Sequence, residues 1–494
     1  MRGRLDGLTH AEAGWEGLRV VVAGLGVSGF AAADALVQHG ARVVAVDARD
    51  GEAEREKADV LRVLDVDIRL GAHATTALPD VNGNPPDLVV TSPGWRPDSP
   101  LLGGAAAAGL PVWGEVELAW RLRPAAGAAP WLTITGTNGK TTTVRMLAAM
   151  LAAAGLRTAA VGNVGTPLLH AIVDPVGYDV LAVELSSFQL HWSSSLAPQA
   201  SACLNLAPDH VDWHGSLAAY TADKAKVYSS TQVACVYNVA DPATEQMVRD
   251  ADVVDGCRAI GFTAGVPDVS MLGVVDDVLC DRAFVPERAT SAAELATLAD
   301  LEQAGGGTVA AHTVANALAA AALARAHGVT PVAVRDGLLG VVPEPHRITR
   351  VAEAAGITWV DDSKATNPHA ASASLAAFDT VVWVAGGLAK GARFDDLVGA
   401  HAGRLRAAVL VGVDRAPLRE ALARHAPDVR VVEVSSPDTE QVMTRAVTAA
   451  ADLARPGDTV LLAPACASMD QFTSYVTRGD AFADAVRAHV AAAG

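Results

Sequence analysis

The stretch Thr133-Ile134-Thr135-Gly136-Thr137-Asn138-Gly139-Lys140-Thr141-Thr142 is an apolar strand running into a glycine-rich turn, a lysine and two hydroxyls. Backbone N–H groups of such a turn cradle phosphate oxygens, and the following helix points its positive end at them. Lys140 has the reach to contact the β- and γ-phosphates of a nucleoside triphosphate, and the Thr141 hydroxyl suits Mg²⁺. The commoner phosphate-loop spacing places a glycine at position 134, where this chain has Ile134; Gly136 and Gly139 bracket Thr137-Asn138 instead. The loop is a variant, with Gly136, Thr137, Asn138, Gly139, Lys140, Thr141 and Thr142 as expected ATP contacts. The competing reading is a glycine-rich turn with an incidental lysine.

At 494 residues the chain predicts about three domains. Half of it is apolar and 19% is charged, which suits a globular protein. The net charge of −17 argues against a nucleic-acid or anionic-membrane partner. Cys203, Cys235, Cys257, Cys280 and Cys466 are scattered, with no CxxC pair, so neither a zinc site nor a disulfide framework is expected. Without an apolar run of about 18 residues or a signal-type N-terminus, the expected location is the cytoplasm.

Around the loop the chain alternates strands with helices, which predicts an α/β protein with mostly parallel sheets. We place a Rossmann-like N-terminal domain at 1–127, a P-loop-type central domain at 128–344 and a Rossmann-like C-terminal domain at 345–494. Arg121 to Pro130 reads as a linker, and Pro343-Glu344-Pro345 as a second junction. Residues 263–308, with Gly305-Gly306-Gly307, read as irregular or hairpin structure without a functional motif.

Ligands of open parallel sheets bind beyond the carboxyl ends of the strands. In the central domain three strands run out into Gly136–Thr141, into Glu184-Leu185-Ser186-Ser187 and into Pro208-Asp209-His210, so Lys140, Thr141, Glu184 and His210 are expected to converge. A carboxylate and an imidazole beside a triphosphate suit Mg²⁺. Asp209-His210-Val211-Asp212-Trp213-His214 could be read as zinc ligands, but the sequence puts no third soft ligand nearby; His214 reads as a surface or structural histidine. In the C-terminal domain the strand ends carry Asp361 to Asn367, Gly386 to Lys390 and Ala465 to Ser468. Lysines and hydroxyls on one edge suit a small dicarboxylate. Gly24-Leu25-Gly26-Val27-Ser28-Gly29, followed by Asp47, fits a dinucleotide fingerprint. Taken alone it admits an NAD-dependent oxidoreductase, which would leave Lys140, Glu184 and the third domain idle.

These elements in this order resemble the Mur ligases, the ATP-dependent amino-acid ligases of peptidoglycan precursor synthesis, from Val22 to about Arg478. Glu184-Leu185-Ser186-Ser187-Phe188-Gln189-Leu190, Asp362-Ser363-Lys364-Ala365-Thr366-Asn367 and Pro464-Ala465-Cys466-Ala467-Ser468-Met469-Asp470-Gln471-Phe472 resemble the D-glutamate-adding branch. The Asp-Asn-Pro-Arg type motif of the diaminopimelate- or lysine-adding siblings is missing; a sibling adding another amino acid is the nearest alternative. The resemblance implies a monomer joining D-Glu to UDP-MurNAc-L-Ala with ATP and two Mg²⁺ ions. By the same resemblance, Lys140 and Thr141 hold phosphates and metal, and Glu184 and His210 serve the second metal region. Lys224 matches a lysine carried as a CO₂-derived carbamate, able to ligate metal. Asn316, Arg347 and Asp362 match ATP contacts; Lys364, Thr366, Lys390 and Ser468 match the D-glutamate end. Val27, Ser28, Asp47, Arg49, Ser92 and Asn163 match contacts to the UDP substrate. Ala48 departs from relatives that carry a hydroxyl there.

Overall fold

The computed structural model describes residues 2–305, 309–341, 345–434 and 439–493. Gly306 and Gly307 of the glycine run, and Pro343 and Glu344 of the second junction, lie outside them. The chain forms two compact units, Met1–Val341 and Val342–Gly494. Three sheets, two in the first unit and one in the second, make it an α/β protein with mostly parallel strands.

The first sheet contains β1 (Arg19–Ala23), β2 (Arg42–Asp47), β3 (Asp67–Leu70), β4 (Leu88–Thr91) and β5 (Val112–Gly114), in the order β3-β2-β1-β4-β5 and all parallel. Val20, Val21 and Val22 are fully buried, as expected of a parallel strand covered on both faces.

The second sheet is built from β6 (Trp131–Thr135), β7 (Thr158–Gly162), β8 (Val180–Glu184), β9 (Ala200–Cys203), β10 (Ala234–Asn238), β11 (Arg258–Phe262), β12 (Met271–Val275), β13 (Val278–Asp281) and β14 (Ala293–Thr297). Its order, β14-β13-β12-β11-β10-β9-β6-β8-β7, puts β6 between β8 and β9. The three loops singled out from the sequence therefore leave neighbouring parallel strands on one edge. The helix Ala311–Ala326 is buried at Val314 and from Asn316 to Ala324; its alanines let it pack close to the phosphate-loop helix Lys140–Ala153.

The segment beginning at residue 263 contains an antiparallel meander, β12–β13–β14, and the helix Leu298–Gly305. Asp281 of β13 pins it to the core. Its carboxylate accepts from the Ala283 and Phe284 N–H groups at 2.7 and 2.8 Å and from Arg325 Nε at 2.8 Å. Removing one partner of a buried pair leaves an uncompensated charge, at a cost of about 3–5 kcal/mol. Asp281→Ala should lower the urea midpoint of unfolding accordingly; an unchanged midpoint would contradict this role.

The third sheet holds β15 (Thr349–Ala354), β16 (Ile357–Asp361), β17 (Val381–Gly386), β18 (Leu405–Val411), β19 (Arg430–Glu433) and β20 (Thr459–Leu462), ordered β15-β16-β20-β17-β18-β19. Only β15 runs antiparallel. All five cysteines are thiols; although far apart in sequence, Cys235 and Cys257 bring their sulfurs within 3.8 Å. No described helix is long and apolar enough to cross a membrane.

Candidate active site

The phosphate loop is held from its flanks. Asn138 N–H donates to Asn205 Oδ1 at 2.9 Å, and Asn205 Nδ2 returns a bond to the Asn138 carbonyl at 3.0 Å. Thr137 Oγ lies 2.9 Å from the Tyr220 hydroxyl. Gly139 takes a left-handed φ of 86°, and a Cβ there would sit 2.4 Å from Asn316 Oδ1. Glycine thus lets the loop lie against Asn316, the central-domain residue expected from the sequence near ATP. Gly139→Ala should cost about 1–2 kcal/mol for the left-handed backbone alone and push Asn316 aside. The rise in melting temperature on adding MgADP should shrink; a full-sized rise would contradict the reading.

Two lysines meet on this loop. Lys140 Nζ donates to the carbonyls of Gly136 and Thr137 at 2.8 and 3.0 Å. Lys224 Nζ, from the helix Leu217–Ala225, donates to the same Gly136 carbonyl at 2.8 Å. Lys224 is only 2% exposed. Desolvation first, and the nearby Lys140 cation second, push its amine down to about 7.

Glu184 ends β8 and is 1% exposed. Its Oε1 accepts from Asn163 Nδ2 at 2.8 Å, whereas Oε2 has no hydrogen-bond partner. A buried carboxylate oxygen left orphaned is costly unless something occupies it. With the Thr141 hydroxyl and the His210 imidazole on the same edge, the donor set fits a hard divalent cation such as Mg²⁺. His210 adopts a positive φ of 51°, and its ring packs on Phe188 at 4.7 Å.

The His214 side chain is fully buried, so the surface reading fails and the structural one holds. The fold also brings it a soft neighbour that sequence spacing did not show. His191 and His214 both point Nδ1 at Asp223 Oδ2, at 2.7 and 2.9 Å, and Lys226 Nζ reaches Asp223 Oδ1 at 2.9 Å. These are hydrogen-bond lengths, and the bonds satisfy the groups without an ion.

In the first sheet, Asp47 accepts from the Leu25 N–H at 2.7 Å and the Arg49 N–H at 2.9 Å. Burial raises its pKa, but those two bonds and the Arg49 side chain outweigh it and hold Asp47 ionised. A Cβ on Gly29 would fall 1.8 Å from the Gly24 carbonyl, so the turn closes only with glycine. Ser92 Oγ lies 3.5 Å from that carbonyl, Ser28 bonds to buried Glu115, and Val27 is exposed. Arg96, just beyond Ser92, donates to the Asp212 carbonyl at 3.1 Å, which ties this edge to the His210 segment.

The second unit gathers its own set. Lys364 and Thr366 follow β16, Lys390 follows β17 at a positive φ of 48°, and Ser468 follows β20; these three strands are neighbours. Desolvation lifts Asp362 to about 6 despite the Ser374 hydroxyl donating to it and the nearby Arg347 cation. Sequence reasoning missed Arg478. This 1% exposed guanidinium bonds Ser363 Oγ at 3.0 Å, the Ser363 carbonyl at 2.8 Å and the Cys466 carbonyl at 3.1 Å, stitching two strand-end loops together.

Family profiles match this chain in three consecutive stretches. They are described as Mur ligase MurD-like N-terminal domain at 18–114, Mur ligase middle domain at 134–324 and Mur ligase glutamate ligase domain at 346–466. The chain is 60% identical over 473 residues to the UDP-N-acetylmuramoylalanine--D-glutamate ligase of Streptomyces avermitilis, covering 96% of this chain and 98% of that protein. It is 54% identical over 499 residues to the enzyme of that name in Leifsonia xyli, covering 99% and 96%. Among solved structures, MurC of Thermotoga maritima matches with a TM-score of 0.54 at 17% identity, over 96% of this chain and 100% of that one. MurF of Thermotoga maritima in complex with ADP matches at 0.53 and 16%, over 92% and 96%. At such identities these two show the shared three-domain fold.

Proposed function

The chain belongs to the Mur ligase family, and on that premise we propose that it joins D-glutamate to UDP-N-acetylmuramoyl-L-alanine with ATP, releasing ADP and phosphate. The observation that carries this reading is the meeting of Lys140 and Lys224 on the Gly136 carbonyl, beside a buried Glu184 with one free oxygen. An oxidoreductase would have no use for that arrangement.

A carboxylate is a poor electrophile. The alanyl carboxylate attacks the γ-phosphorus of ATP, ADP leaves, and an acyl phosphate results. The neutral amine of D-glutamate then adds to the acyl carbon, phosphate departs and a proton is lost, leaving an amide. Lys140 and the N–H groups of Gly136 to Thr142 hold the phosphates and offset charge on the transferred group. Mg²⁺, expected as two ions, supplies further charge neutralisation when bound. Thr141, Glu184, His210 and Lys224 are the residues to hold it. Lys224 serves as a carbamate: its neutral amine adds CO₂ and loses a proton, which turns a buried amine into a carboxylate-like ligand.

Residues 1–127 take the UDP end through Val27, Ser28, Asp47, Arg49 and Ser92, with Asn163 reaching the same substrate from 128–344. The central domain takes ATP, with Asn316. In the C-terminal domain, 345–494, Lys364, Thr366, Lys390 and Ser468 take D-glutamate. A monomer in the cytoplasm suits a chain that acts on small soluble substrates. Mass spectrometry of the UDP-linked product tests the reaction: a gain of one glutamyl residue is expected, and an unchanged mass would overturn it.

A further inference from the structure

Four side chains outside the phosphate loop, half-buried His191 and buried Asp223, His214 and Ser187, form one chain of hydrogen bonds. Asp223 precedes Lys224 in the helix Leu217–Ala225, and Ser187 opens the helix Ser187–His191 three residues after Glu184. The Asp223 carboxylate faces the Lys226 ammonium at 2.9 Å and the imidazoles of His191 and His214 at 2.7 and 2.9 Å. An ionised carboxylate only accepts, so each histidine nitrogen facing it carries hydrogen. His214 Nδ1–H therefore donates to Asp223, which leaves His214 Nε2 as an acceptor for the Ser187 hydroxyl at 3.0 Å. His191 Nδ1–H donates to the same carboxylate from the other end of the Ser187–His191 helix. Lys226 closes the circuit, with Nζ bonded both to Asp223 and to the His191 carbonyl at 2.9 Å.

A helix of five residues has little stability of its own. This one is clamped at both ends to the helix that carries Lys224. The His214 ring fills the space between them, stacked at 7° on Phe188 and edge-on to Tyr220. The clamp thus joins the segment that follows Glu184 to the helix that carries Lys224. Mg²⁺ tolerates little error in ligand position, because it demands near-ideal octahedral geometry.

We infer that His214, held between Ser187 and Asp223, is a positioning residue that fixes Glu184 and Lys224 at the separation a divalent cation requires. The inference rests on the reading of those two residues as metal ligands. Ligand-orienting partners of this kind change metal affinity or activity by about 10–100-fold when removed.

The test uses the full chain and Mn²⁺ as probe, titrated with ADP present and read as loss of the free-ion electron paramagnetic resonance signal. It needs no turnover, so it stands apart from whether D-glutamate is the amino acid added. His214→Phe keeps the ring and its stacking but removes both nitrogens; Mn²⁺ affinity should fall about tenfold or more. His214→Asn, whose amide can donate to Asp223 from the Nδ1 position, should recover most of that loss. In turnover, half-saturation for Mg²⁺ should rise while the KM for the amino acid stays within about twofold, since Lys364, Thr366, Lys390 and Ser468 are not part of this clamp. Wild-type Mn²⁺ affinity in a folded His214→Phe would overturn the inference. If that variant does not fold, Ser187→Ala decides: about threefold weaker Mn²⁺ binding supports the inference, as expected for loss of one hydrogen bond, and unchanged binding overturns it. Zn²⁺ bound at one equivalent through His191 and His214 would also overturn it, because the hydrogen bonds would then not be the working state.

Discussion

Lys224→Ala should lose about 10²–10³-fold of the ligase rate, the usual scale for removing one charge-stabilising group from a closed site. The lysine is buried against the Gly136 carbonyl, next to Lys140, and burial has already brought its amine to about 7. An unperturbed lysine, with a pKa near 10.4, offers almost no neutral amine at pH 7.5; this one offers far more. The neutral form adds CO₂, and the product has the oxygens that Mg²⁺ prefers. Formate or acetate should restore part of the lost rate by placing a free carboxylate in the vacated space, and should not rescue Lys224→Arg, which fills it. Protonation competes with CO₂ for the same nitrogen, so wild-type activity falls as pH is lowered through about 7, and added bicarbonate moves that fall to lower pH. A rate that neither responds to bicarbonate nor is rescued in Lys224→Ala by any short acid would remove the carbamate.

Lys140→Met should be at least as damaging, about 10³-fold in kcat. Methionine keeps much of the side-chain length and apolar stem but loses the charge that meets phosphate. Lys140 is the first residue of its helix, directly after left-handed Gly139, which places its ammonium beside the helix N-terminus, where an anion is favoured. Binding of ADP should weaken by much less than the rate falls, because the lysine matters most where charge develops in transfer. Single-turnover ATP cleavage in the complete mixture reads this directly; a loss confined to KM for ATP would make Lys140 a binding residue only.

The two predictions rest on residues of different legibility. Gly136 to Thr142, Glu184 and His210 could be read from the sequence, because a parallel sheet puts strand ends on one edge and β6 is flanked by β8 and β9. The role of Lys224 came from family resemblance; what the fold adds is its burial and its contact with the loop, 88 residues away in sequence. The clamp of His191, His214, Asp223 and Ser187 could not be read in advance. Its bonds span 9 to 32 residues and join loops and short helices whose packing has no periodic signature. Arg478 was hidden for the same reason, since its partner Ser363 lies 115 residues earlier. Strands such as β7, Thr-Ala-Ala-Val-Gly, escaped because alanine and glycine have low strand propensity, and only neighbouring strands make the segment extended. The meander β12–β14 was legible only as irregular or hairpin-like, because its strands are four or five residues long and neither the apolar run of β12 nor the mixed β13 and β14 has a clear two-residue period.

The assignment of D-glutamate is tested most directly by phosphate release from ATP with Mg²⁺ and UDP-N-acetylmuramoyl-L-alanine, comparing D-Glu, L-Glu, L-Ala, L-Lys and meso-diaminopimelate. Release that depends on D-Glu alone is the expected result, with Lys390 and Ser468 then the first positions to probe for selectivity. Release with L-Lys or meso-diaminopimelate in place of D-Glu, or none with any of the five, would contradict it.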